Sequence, residues 1–172
     1  MALSAYMSAV NQKLLFAAQL LATDIKASLS GQQDSHQVTA IAQSVTLQLQ
    51  RAWCWHLQDV AANYKMQDPE AVIDATSLRR LLAEEGKTPG EAIELHELET
   101  DEKSWVGQLL NAHRHLYVVP VARRAEMDAN RLPMIAVDVS GDSIDWDIEQ
   151  ARLWFERMQE LVDRQRDMMI EF

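Results

Sequence analysis

Interruptions are the scarcest feature of this sequence. Its 172 residues hold five glycines and four prolines, and ahead of Pro69 the only glycine is Gly31. Glycine and proline are the residues that end helices and make turns, so a chain with so few is steered towards long helices. Apolar spacing then says where they lie. Leu3, Met7, Val10, Leu14, Ala17 and Leu21 recur three and four residues apart, the repeat of one helical face, with Tyr6, Phe16 and Leu20 widening the stripe. A first helix is expected over 3–29, stopped at Ser30-Gly31.

A second helix is expected from 35 or 36 to 65. It carries Val38, Ile41, Val45, Leu49, Ala52, Trp53, His56 and Val60 on one side and ends at Met66-Gln67-Asp68-Pro69. A shorter helix is expected from 70 or 74 to 85, with Val72, Ile73, Leu78, Leu81 and Leu82 inward and Gly86 closing it. Thr88-Pro89-Gly90-Glu91 has the form of a capping box, with Thr88 as N-cap and Pro89 in the first helical position. Thr100-Asp101-Glu102 offers a further start for 104–117, where Trp105, Val106, Leu109, Leu110, His113 and Leu116 share a face. Between 118 and 143 the pattern fails: Pro120, Pro133 and Gly141 fall there, and Met134 to Val139 has the composition of an extended run. Asp145 is the expected cap of a last helix through 169, with Ile148, Ala151, Phe155, Met158, Val162 and Met169 on its inner stripe. The expected fold is all-α, a single domain over 1–172. It is an antiparallel helical bundle of four long helices plus one or two short ones, with one irregular segment near 118–143.

Hydrophobic residues make up 48% and charged residues 24% of the chain, enough apolar surface for a core. Cys54 has no cysteine to pair with, which points to a reducing compartment and a cytoplasmic setting. The apolar opening is broken by Asn11, Gln12 and Lys13, unlike a secretory leader or anchor. Net charge is −10, distributed as +1 over 1–66, −9 over 67–147 and −2 over 148–172. Nucleic acids and anionic membranes reward a cationic surface, so both are poor partners for this balance.

Each chemical signal competes with a plainer reading. A metal between helices would use His56, His96, Glu99, His113 or His115, yet Glu-x-x-His pairs are missing, and two residues on a helix point to different sides, as His113 and His115 would. Histidines on apolar stripes are more often hydrogen-bonded core residues. Arg51 and His56 have the Arg-x4-His spacing of HEPN ribonucleases, but Ala52 stands where those enzymes carry a polar residue. Cys54 and His56 point about 200° apart on a helix, too far round to share a proton. The acidic run from Asp138 to Asp147 lacks the spacing of a calcium loop. Phosphate-binding glycine loops, nucleophile elbows and zinc cysteine pairs do not occur. No cofactor is expected.

Val10-Asn11-Gln12-Lys13-Leu14-Leu15-Phe16-Ala17, Ala52-Trp53-Cys54-Trp55-His56 with Asn63-Tyr64, and Ser104-Trp105-Val106 with Leu109-Leu110 resemble a small gammaproteobacterial family of helical proteins, a domain of unknown function. The resemblance implies a helical fold and a bacterial cytosol, and no activity. Asn11, set among apolar residues, is expected to face the bundle interior and fix helix register. Leu15, Phe16, Ala18, Leu20 and Trp55 fall outside the narrow core stripe. Trp55, Phe16 and Leu20 are therefore the expected contact residues of a helical interaction or scaffold protein that binds a protein partner or a second copy. The runner-up is a small enzyme or sensor with a metal or ligand held by the histidines.

Overall fold

The computed structural model describes residues 4–31, 34–119 and 146–170. Among them all regular structure is helical: α1 (Ala5–Leu29), α2 (Ser35–Asn63), a 3-10 turn at Pro69–Ala71, α3 (Ala75–Glu84), α4 (Gly90–Thr100), α5 (Trp105–His115) and α6 (Ile148–Ile170). Three helices are long and three short. Asp145 and residues 120–143, including the run from Met134 and the acidic loop from Asp138, lie outside the described residues.

The caps explain most boundaries. The Ser4 side chain accepts the Met7 amide at 2.9 Å and opens α1, so the helix starts two residues later than the apolar stripe does. Asp74 accepts the Ser77 amide at 2.6 Å, and the Ser77 hydroxyl reaches back, which makes a capping box at α3. Ser104 does the same service for Gly107 at 2.9 Å and opens α5. At the C-terminus of α2 the chain turns at Lys65, whose φ is 56°. Met66 N–H bonds Ala61 O and Lys65 N–H bonds Ala62 O, so the helix closes on itself before Pro69 is reached.

Two local expectations are corrected. Thr88 caps nothing: Pro89 is the N-cap of α4 without a side-chain bond, and Glu91 turns inward to take the Tyr64 hydroxyl at 2.8 Å. Ile73 is 75% exposed rather than inward, because the extended Val72 between the 3-10 turn and α3 points its own side chain into the core instead.

Cross-helix contacts fix the directions. Ser4 lies against Asp59, so α1 and α2 are antiparallel. Along α2, Tyr64 meets Glu91, Trp53 meets Glu99, and Trp53 also meets Trp105. Thus α4 and α5 follow each other down α2 in the opposite sense, like one rod broken at 101–104. Asp24 pairs with Arg152 and Asn11 with Arg166, which sets α6 antiparallel to α1. The described helices therefore form four rods, α1, α2, α4–α5 and α6, each antiparallel to the next in sequence, with α2 and α6 parallel across the bundle. Val10, Leu14, Leu49, Trp53, Leu57 and Met158 are among its fully or nearly fully buried residues, each worth about 1.5–3 kcal/mol of transfer free energy. On α6 the innermost residues include Trp154 and Leu161, while Ile148, Phe155 and Met169 are partly buried.

Candidate docking surface and the polar layer behind it

Near the end of the bundle where α1 begins, a polar layer touches all four rods. His56, fully buried on α2, faces Gln165 of α6 with Nε2 2.8 Å from Oε1. Gln165 donates its amide to Glu94 of α4 at 2.9 Å, and Glu94 is held at the surface by Arg164 at 2.6 Å. One turn along α2, Asp59 accepts the Ser4 hydroxyl at 2.5 Å and lies 3.7 Å from Arg166 Nε. Arg166 donates to Asn11 at 2.7 Å. Burial pushes the His56 pKa down, so the ring is held neutral, and Nδ1 has no hydrogen-bond partner among the described residues.

That geometry separates the candidate metal ligands. Glu99 accepts Trp53 Nε1 at 2.7 Å and the Ala75 amide at 3.1 Å, joining α4 to α2 and to the start of α3, and burial raises its pKa. His96 faces Arg79 at 3.4 Å. His113 stands edge-to-face on Tyr117, and His115 reaches the Asn111 carbonyl at 2.9 Å. Among the described residues no three His, Cys, Asp or Glu side chains come together as a metal ion would need. Arg51 and His56 part company as well: His56 is sealed in the layer, whereas Arg51 is exposed and lies over the Trp55 ring. Cys54 accepts the Gln50 amide at 3.2 Å, and burial raises its thiol pKa, the reverse of an activated nucleophile.

Asn11 is exposed rather than buried. Its contact with Arg166 still ties α1 to α6, but at the rim of the bundle. Sequence periodicity missed Gln165 and Arg166 as interior residues because polar side chains do not register on an apolar stripe. A usable signal was position: both lie three or four residues beyond Val162 on the inner face of α6.

Outside the layer, the α1–α2 hairpin presents Phe16 at 37% exposure and Leu15 at 55%, while Leu20 and Trp55 are half-buried against the core. Lys13 Nζ lies 5.3 Å from the Phe16 ring centre and 5.6 Å from that of Trp55. Arg51 covers Trp55 at 5.9 Å. The structure thus joins two of the three expected contact residues, Phe16 and Trp55, through one shared cation. A separate cavity of about 360 Å³ lies between α2, α5 and the start of α6, lined by Thr46, Gln108, Asn111, Arg114, Trp146 and Trp154 among others. The Thr46 hydroxyl in its lining donates to the Ala42 carbonyl of its own helix at 2.9 Å.

No described helix is long and apolar enough to cross a membrane. Residues 5–172 match the family of unknown function DUF6586, and the chain belongs to that family. Neither the curated proteins nor the solved structures contain a match.

Proposed function

We propose that this DUF6586 member is a non-catalytic helical interaction protein, docking a protein partner on the α1–α2 face around Trp55 and Phe16. The observation that carries the reading is the open aromatic pair bridged by Lys13, with Leu15 exposed beside it. The parts of the two rings left uncovered at the rim, beside cations, are what a partner's apolar side chain would cover. The lone Cys54, the acidic charge and the gammaproteobacterial look of the opening motif support a bacterial cytosolic setting.

Partner capture from the native cell tests it. Wild-type protein is expected to co-purify a discrete partner that Trp55→Ala and Phe16→Ala lose while keeping the wild-type circular dichroism spectrum, the midpoint of Trp55→Ala falling because its ring is half-buried against the core. Folded variants that retain the partner overturn the reading.

A further inference from the structure

The charges of the α1–α2 hairpin are sorted in a way that names the chemistry of what it holds. Two carboxylates occur within these helices, Asp24 on α1 and Asp59 on α2, and both are buried at 4% and 1% exposure. Both are engaged inward on α6, Asp24 with Arg152 and Asp59 with Arg166. Asp34 is exposed, but it caps α2 at the tip of the hairpin. What the helices turn outward is cationic: Lys26 and Arg51 are exposed and Lys13 is half-exposed.

The arginines of α6 behave differently. Arg152, Arg157, Arg164 and Arg166 each face a carboxylate within ion-pair distance. Lys13 and Arg51 have no such counter-charge among the described residues. Their recorded contacts are aromatic faces, Phe16 and Trp55 for Lys13 and Trp55 for Arg51. A ring face attracts a cation but accepts none of its N–H donors as a carboxylate does. The site is therefore two cations with donors to spare, 5.6 and 5.9 Å from the centre of one indole ring, in a chain whose net charge is −10.

Resting on the docking reading above, we infer that the partner is an acidic protein segment, one whose carboxylates pair with Lys13 and Arg51 while an apolar side chain packs on Trp55 and Phe16. The net charge of −10 disfavours the denser polyanions, nucleic acid and anionic lipid, because a few local cations must work against the field of the whole chain. A short segment with two or three carboxylates meets the local field without facing the global one to the same degree. A second copy is disfavoured in the face-to-face arrangement, since it would bring Lys13 and Arg51 against themselves.

The probe is a fluorescein-labelled amphipathic peptide with leucines at helical spacing flanked by glutamates, alongside the same peptide with glutamine for each glutamate, read by anisotropy on the full chain. The glutamate peptide is expected to bind about tenfold more tightly than the glutamine peptide, and to weaken about tenfold between low salt and roughly 0.3 M salt. Lys13→Glu and Arg51→Glu, both surface changes checked by circular dichroism, are expected to abolish that preference. Neutral Lys13→Gln and Arg51→Gln should reduce it. Equal binding of the two peptides, no binding of either up to roughly millimolar concentration, or charge reversals without effect would overturn the inference. So would binding to phosphatidylglycerol vesicles, or to single-stranded DNA, in preference to the acidic peptide. Partner capture that still depends on Trp55 would then show that docking stands and only the partner's chemistry is wrong; loss of both results removes the docking reading as well.

Discussion

Single residues in this bundle are judged by what they leave behind when removed. Asp59→Ala takes from the Arg166 guanidinium, itself 8% exposed, its ion-pair partner and leaves it hydrogen-bonded to the neutral oxygens of Asn11 and Met7, with the Asp163 carboxylate a remaining counter-charge. A cost of about 3 kcal/mol is expected in urea unfolding, and adding Arg166→Met should return part of it, because the stranded charge goes with it. A smaller loss that Arg166→Met does not relieve would show that the pair contributes little. His56 gives a pH dependence of defined sign. Burial, helped by the Arg166 charge, lowers its pKa below the ordinary 6.5 against the opposing pull of Gln165, Asp59 and Glu94. The unfolded chain then takes up the proton before the folded one, so stability is full above about pH 6.5 and is lost as pH falls towards the folded pKa. His113, also lowered by burial, adds in the same direction. Glu99 acts oppositely at lower pH, since its raised pKa makes its contribution grow as pH falls through the folded value. Thermal midpoints across that range are expected to slope downward with acid for wild type and less steeply for His56→Gln.

At the level of elements, turns test the account more sharply than helix interiors. Lys65 holds a left-handed backbone at the end of α2, with φ 56°, where glycine is the residue that pays no steric penalty. Lys65→Gly is expected to stabilise by about 1 kcal/mol in denaturant unfolding. Gly107, in the first turn of α5, packs on the 101–104 break: a Cβ there would lie 2.8 Å from Glu102 Cα and closer still to the Asp101 carbonyl oxygen. Gly107→Ala should cost about 1–3 kcal/mol, and a neutral result would mean that α4 and α5 are not joined as tightly as described. The helices themselves were legible from the sequence because apolar spacing and Ser, Asp and Gly caps report on local backbone. The 101–104 break was only half legible: Thr100-Asp101-Glu102 looked like a start, but whether it kinked or broke the rod depended on Gly107 fitting beneath the loop, a tertiary fact. Thr88 failed for the opposite reason, since a good local capping pattern gave way to Glu91 meeting Tyr64 across the bundle.

For the whole molecule, the bundle divides into an interior that specifies how four rods meet and an α1–α2 face that we propose docks a partner. The polar layer from Asn11 through Arg166 and His56 to Glu94 reads as alignment between helices. Phe16 and Trp55 were visible in the sequence as apolar residues off the core stripe, whereas their joining by Lys13 required α1 and α2 to be set side by side. The inward turning of Asp24 and Asp59 was invisible there, because a sequence records charge without direction. The central claim is that this face docks a partner, and scanning it with a photo-cross-linking amino acid in living cells tests that most directly. Placed at Phe16, Leu20 or Trp55, it is expected to give a discrete adduct that is missing when the same group replaces exposed Glu84 of α3 or Arg157 of α6; no adduct on the α1–α2 face, or the same adducts from every position, would contradict the account.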